Sequence, residues 1–158
     1  MEDTNNDFEQ VNSGSSHTYP QQAGAIRKGM YIMIKGRPCR VNDVSTSKTG
    51  KHGHAKNHFV TTDIFTGKRL EEISTTSHNM DVPYVSRKEY QVIDAPTDDD
   101  FISLCDSEGT MKEDLKFPDD LDLKKSIIDK YNSGDGDVFV TSLCAIGEEK
   151  IIDVKINK

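Results

Sequence analysis

Short apolar runs, broken every few residues by glycine, proline or paired polar residues, dominate this chain from residue 30 onward. Residues 30–35 (Met30-Tyr31-Ile32-Met33-Ile34-Lys35) precede Gly36, residues 38–44 lead into a polar run, residues 57–65 precede Thr66-Gly67-Lys68, and residues 70–73 follow. Runs of this length between turn residues read as strands, and their spacing suggests a small barrel. A second set occupies 84–94, 101–106, 111–117, 137–144 and 151–156. In the last of these, Ile152, Val154 and Ile156 alternate with Asp153, Lys155 and Asn157, the period of a half-buried strand. One helix interrupts the strands. Leu123, Ile127 and Tyr131 recur at helical spacing, Asp119, Asp120 and Asp122 sit near its start where the dipole favours negative charge, and Ser133-Gly134 ends it. Periodicity thus predicts an all-β protein of two domains, and five strands with one inserted helix is the element list of an OB-fold.

Met80-Asp81-Val82-Pro83 reads as a hinge between the domains, because Pro83 forces extended backbone on Val82 and the charge balance changes sign nearby. That gives an acidic tail over 1–16, polar and rich in Asn and Ser and expected to be disordered, a first domain over 17–83 and a second over 84–158. The net charge of −7 conceals segregation: the tail carries −4, residues 17–83 carry +5 and residues 84–158 carry −8. A basic domain inside an acidic protein fits a polyanion such as RNA, while the acidic remainder limits indiscriminate binding.

Hydrophobic content of 34% with few aromatics argues against one large core in 158 residues. No apolar run has the length of a membrane span, and none near the N-terminus resembles a signal peptide, so a cytoplasmic protein with no membrane anchor is expected. Cys39, Cys105 and Cys144 are odd in number and far apart, which suits free buried thiols in a reducing compartment.

The candidate chemistry lies in residues 45–56, Ser45-Thr46-Ser47-Lys48-Thr49-Gly50-Lys51-His52-Gly53-His54-Ala55-Lys56. Strand-like sequence on both sides makes this a hairpin loop, and Gly50 and Gly53 bracket Lys51-His52 as a tight turn requires. The run holds three lysines, two histidines and no acid, so it is suited to meet something anionic. Thr49-Gly50-Lys51 contains the Gly-Lys pair of a phosphate-binding loop. However, Ser45 stands where that motif needs glycine, His52 where it needs Ser or Thr, and no helix follows. His52, His54 and His58 share a strand face, but no carboxylate or cysteine lies close in sequence to complete a metal shell, so no metal is expected. No paired carboxylates, nucleophile triad or cofactor loop stands out elsewhere, and no catalytic residue is assigned.

This run is similar, nearly position by position, to the modification loop of the eukaryotic translation initiation factor 5A family, the hypusine-containing factors. Thr18-Tyr19-Pro20-Gln21-Gln22-Ala23-Gly24, Ile34-Lys35-Gly36-Arg37-Pro38-Cys39, Asp63-Ile64-Phe65-Thr66-Gly67-Lys68, His78-Asn79-Met80-Asp81-Val82-Pro83 and Gly147-Glu148-Glu149 resemble the same family in order, so the likeness covers about residues 17–158. Asn57, Thr61 and Thr62 make the strand after the loop more polar than the family pattern, and residues 129–137 match loosely. The resemblance implies an SH3-like barrel bearing the loop, followed by an OB domain. It further implies that Lys51 receives an aminobutyl group from spermidine through deoxyhypusine synthase and is hydroxylated by deoxyhypusine hydroxylase to hypusine, with no other cofactor. Lys48, Thr49, Gly50, His52, Gly53, His54 and Lys56 would then serve loop recognition or RNA contact. The implied partners are the ribosome at its exit site and peptidyl-tRNA, with the factor acting non-enzymatically to promote peptide-bond formation, notably at proline runs, and termination. A generic single-strand RNA-binding module stands as the alternative, separated from this one by the covalent state of Lys51.

Overall fold

The computed structural model describes residues 17–48 and 53–158, so the acidic tail assigned to 1–16 lies outside the described residues. The chain divides after Tyr84 into two compact units, each with its own apolar core.

In the first unit, β1 (Thr18–Gln22) pairs antiparallel with β6 (Asn79–Pro83). Between them β2 (Tyr31–Ile34), β3 (Arg37–Lys48), β4 (Ala55–Asp63) and β5 (Arg69–Thr75) form an antiparallel meander in sequence order, the arrangement of an SH3-like barrel. Lys35 and Gly36 join β2 to β3 with φ of 52° and 79°, the two left-handed residues that a primed hairpin turn requires. Ile26, Ile32, Ile34, Cys39, Val41 and Phe59 fill the core with no exposed surface. Along β4 the odd positions Asn57, Phe59, Thr61 and Asp63 are buried, which leaves Lys56, His58, Val60 and Thr62 on the outer face.

The polar residues Asn57, Thr61, Thr62 and Asp63 of β4 each have a side-chain hydrogen-bond partner. Asn57 donates to the Ala23 carbonyl at 2.9 Å and accepts from Thr46 at 2.6 Å, the Thr61 hydroxyl donates to the Leu70 carbonyl at 2.6 Å, and Thr62 accepts from Asn42 at 2.6 Å. Asp63 ends the strand as a hub. Its Oδ2 accepts from Arg37 Nε at 2.8 Å, and Oδ1 accepts from the backbone N–H of Phe65 at 2.8 Å and Thr66 at 3.2 Å. Burial works to raise this carboxyl's pKa, but the guanidinium and the two N–H groups outweigh it and the group sits at about 2.

Residues 80–83, where the sequence suggests a hinge, are paired strand at the end of the first unit, and the division falls just beyond them, after Tyr84. They form most of β6, where Met80 and Val82 are buried and Pro83 lies opposite Thr18. Extended backbone before proline serves a paired strand as well as a linker, which is why the sequence pattern could not separate the two.

In the second unit, β7 (Ser86–Asp94), β8 (Phe101–Cys105), β9 (Met111–Lys116), β10 (Asp137–Ala145) and β11 (Glu148–Asn157) form one antiparallel sheet in the order β11-β10-β7-β8-β9. The helix α1 (Leu121–Ser133) lies between β9 and β10 in sequence, which completes the OB topology. Asp120 caps α1 by accepting from the N–H groups of Asp122 and Leu123, Gly134 ends it at φ 70°, and fully buried Ile127 anchors it to a core shared with Leu104, Ile102 and Val140. Leu123 and Tyr131 pack against the same core, as their spacing predicts.

Ile152 differs from its expected inward position. A bulge sets Thr141 opposite Asp153 and Ser142 opposite Ile151, so Ile152 is the extra residue and is 37% exposed, while Ile151 turns in. The pattern is restored beyond the bulge at Val154 and Ile156. Across the seam between the outer strands, Lys112 of β9 meets Glu149 of β11 at 3.4 Å. The same carboxylate accepts from Tyr90 at 2.8 Å and Ser142 at 2.5 Å. Burial opposes its charge, but Ser142, Tyr90 and Lys112 prevail and hold its pKa below the usual range. The three cysteines are free, with Cys39 buried and Cys105 and Cys144 half-buried rather than enclosed.

Candidate functional site

The β3–β4 hairpin carries the cationic run, and its ladder reaches further into that run than the sequence suggests. Pairing continues through Ser45–His58, Thr46–Asn57 and Ser47–Lys56 to Lys48–Ala55, so much of the stretch read as loop is strand. The physical cause is the Thr46–Asn57 hydrogen bond at 2.6 Å, which joins the arms inside a run whose Ser and Thr residues suit an extended backbone. Thr49, Gly50, Lys51 and His52 lie outside the described residues.

Around them the described part of the site is open and basic. Lys48 ends β3, Gly53 and His54 precede β4, and Lys56 takes the second position of β4; Lys48, His54 and Lys56 are all exposed. Neither Lys48 nor Lys56 has a carboxylate within salt-bridge distance among the described residues. Two unneutralised ammonium groups thus stand on the two arms of one hairpin, Lys48 opposite Ala55 and Lys56 opposite Ser47. His58, one outward position further down β4, is engaged otherwise: its Nε2 lies 2.8 Å from Glu71 Oε1 on β5, and Glu71 also receives Arg69 at 2.9 Å. Of the three histidines on the candidate metal face, His58 thus faces a carboxylate and His52 lies outside the described residues.

What the sequence reading missed is the support beneath the hairpin. The turn Ala23–Ala25 follows β1 and sits under its base: the Ala23 carbonyl accepts from buried Asn57, Ala23 N–H donates to His78 at 2.8 Å, and Gly24 N–H donates to Thr76 at 2.9 Å. Thr76 N–H in turn donates to Ala55, the last paired residue of β4, at 3.0 Å. A Cβ at Gly24 would come within 3.2 Å of Thr76 side chain and backbone, so the close approach favours glycine. The arms therefore rest on a buried asparagine two ladder steps, roughly 7 Å, below the Lys48–Ala55 pair. A signal for this was present in the sequence, since asparagine at an inward position of an alternating strand needs hydrogen-bond partners.

The comparisons with known proteins agree with this architecture in both units. Residues 16–78 match the family described as Translation initiation factor 5A-like, N-terminal, and residues 84–155 match the family described as Eukaryotic elongation factor 5A hypusine, DNA-binding OB fold. The chain is 53% identical over 156 residues to eukaryotic translation initiation factor 5A-3 of Solanum tuberosum, covering 98% of this chain and 96% of that protein. It is 52% identical over 155 residues to the factor 5A-3 of Arabidopsis thaliana, covering 98% and 97%. Among solved structures, a translation initiation factor 5A family protein from Naegleria fowleri gives a TM-score of 0.82 at 45% identity, over 89% of this chain and 99% of that one. The factor 5A from Methanococcus jannaschii gives 0.67 at 29% identity, over 88% and 96%. Identity above one half across nearly the whole length of both chains, with both units matched in order, establishes that this chain belongs to the eukaryotic translation initiation factor 5A family of translation factors.

Proposed function

We propose that this protein is a non-enzymatic ribosome ligand of the cytoplasm whose Lys51, converted to hypusine, orients the acceptor end of peptidyl-tRNA. The observation that carries this reading is the hairpin itself: β3 and β4 hold exposed Lys48 and Lys56, with no carboxylate partner among the described residues, on the two strands that flank Lys51 in sequence. Family membership supports the modification, with deoxyhypusine synthase adding the aminobutyl group of spermidine to the Lys51 amine and deoxyhypusine hydroxylase completing it.

The chemistry asked of the side chain is positional. A hypusine carries a second amine on a longer stem than lysine, which adds both reach and charge against RNA phosphates. Holding a reactant in a productive pose lowers a barrier through orientation, so no nucleophile, acid or base of the protein is required. The benefit is greatest where the substrates orient badly, and proline, with its fixed backbone angle, is such a substrate; slow release at termination is another such step. Lys48, His54 and Lys56, with Thr49, Gly50, His52 and Gly53, serve recognition by the modifying enzymes and contact with RNA.

Intact-mass measurement and peptide mapping of protein purified from its own cells test the reading. The expected result is the added mass of a hydroxylated aminobutyl group on Lys51. Unmodified Lys51 in that material would return the chain to the class of generic RNA-binding modules.

A further inference from the structure

The strands of the first unit leave one seam without hydrogen bonds. β5 is the last strand of the sheet β2-β3-β4-β5, and β6, which follows it in sequence, pairs with β1 instead. The turn between them is tight, with His78 N–H donating to the Thr75 carbonyl at 2.9 Å, so the two strands leave one turn without pairing. A cleft of about 500 Å³ is lined by residues of both strands, with Met33 of β2 and Lys56 of β4.

Along this seam the backbone of β5 is unpaired. Asp63 N–H donates to the Lys68 carbonyl and Thr76 N–H to the Ala55 carbonyl, so the residues of β5 in the same alternation, Leu70, Glu72 and Ser74, exchange hydrogen bonds with β4. The N–H and C=O groups of Glu71 and Ile73 therefore point away from β4, where no further strand lies among the described residues. An edge of this kind is a template for another strand, and Ile73 is 64% exposed beside it.

The side chains of the cleft are sorted by charge. Lys56, opposite Thr75, and His78 line it beside the turn, whereas Glu72, three residues before Thr75, and Asp81, three residues after His78, line it further out from the two strands. Glu72 is half-buried on the same side of β5 as Leu70, which packs against the core. Neither Glu72 nor Asp81 has an ion-pair or side-chain hydrogen-bond partner among the described residues. A half-buried carboxylate without a donor is costly, and a cation brought from outside would satisfy it. Nucleic acid brings phosphates, and residues 1–16 of this chain bring carboxylates and no cation, so neither complements these two groups.

We propose that this seam docks an extended segment of a partner protein, which adds as a strand to the free edge of β5 and places a lysine or arginine between Glu72 and Asp81. The backbone of Glu71 and Ile73 gives the hydrogen bonds, Met33 takes the aliphatic stem of the basic side chain, and the two carboxylates take its charge. The surface does not depend on the function assigned to Lys51.

The test is an amide-resolved NMR titration of the full chain with a synthetic seven-residue peptide, Thr-Val-Thr-Lys-Thr-Val-Thr. Two controls run beside it: the same peptide with glutamate for lysine, and the lysine peptide N-methylated throughout, which keeps its charge but cannot donate from its backbone. The expected result is saturable shifts at Glu71, Ile73 and Asp81 with the lysine peptide, with slowed amide exchange at Glu71 and Ile73, and neither effect with the two controls. Glu72→Gln and Asp81→Asn, which keep side-chain size, should each weaken the lysine peptide about threefold or more. Absence of saturable shifts along β5, equal binding of the N-methylated peptide, or unchanged affinity in Glu72→Gln would each overturn the proposal. Shifts along β5 that grow with the protein's own concentration, without peptide, would assign the edge to a second copy of the chain and overturn it as well.

Discussion

Asn57→Ala isolates the support of the functional hairpin. The side chain is 3% exposed and makes two hydrogen bonds, donating to the Ala23 carbonyl at 2.9 Å and accepting from the Thr46 hydroxyl at 2.6 Å. Truncation removes one of the two donors of the Ala23 carbonyl, which keeps the Ile26 N–H at 3.2 Å, so the lost bond costs about 0.5–1.5 kcal/mol, while the exposed Thr46 hydroxyl can turn to water. A small cavity adds to this, so the expected loss is roughly 1–2 kcal/mol for the first unit. Thr46→Val removes the outer bond and leaves Asn57 Oδ1 without that donor at a part-buried place, and should cost about 1 kcal/mol. The assay is denaturant unfolding of the full chain followed by NMR signals of the first unit, with amide exchange read at Ser47, Lys48 and Ala55. Both variants should leave the second unit's transition in place, and Asn57→Ala should speed exchange at the hairpin arms the more. A cost below about 0.5 kcal/mol for Asn57→Ala, in the range of an ordinary surface change, would refute the claim that the hairpin rests on this residue.

Two further outcomes follow from particular side chains. Asp63 has its pKa lowered from 3.8 to about 2 on folding, so its contribution, about 2 kcal/mol, is fully present above pH ~4 and is lost as pH falls toward 2. Asp63→Asn should therefore lower stability by about that amount at pH 7, and its difference from the unsubstituted protein should shrink toward zero in acid titrations of unfolding free energy. Lys56→Ala, in protein fully modified at Lys51, should weaken ribosome binding and reduce its salt dependence by about one unit of slope without changing the unfolding midpoint, because Lys56 is exposed and has no carboxylate partner among the described residues. Affinity that stays constant across a salt series would assign Lys56 to recognition by the modifying enzymes alone.

Much of this fold was legible because its signals are local. Apolar runs between turn residues marked β2, β4 and β10, alternation marked the end of β11, and the helix showed its apolar stripe, its acidic start and its end at Gly134. What escaped was set by partners distant in sequence. β1 carries Pro20, Gln21 and Gln22 with little burial, so no periodic pattern betrays a strand whose existence depends on pairing with β6 sixty residues on. The bulge at Ile152 likewise depends on where β10 pairs, and a one-residue slip exchanges the two faces of a strand. At the site, the basic run was readable as composition, whereas the role of Asn57 depends on Ala23, thirty-four residues away. Polar residues in β4 therefore read as departures from a pattern until their partners are seen.

The central claim, that Lys51 acts by orienting a reactant, is tested most directly by peptide-bond formation in a reconstituted translation system at matched ribosome occupancy. Messages with and without a run of prolines are compared for modified protein, for unmodified protein and for Lys51→Arg, which keeps the positive charge but cannot become hypusine. The account predicts that the modified protein accelerates the proline message by much the larger factor, and that the unmodified and arginine forms do little for either. Equal acceleration of both messages, or full activity of the arginine form, would contradict it.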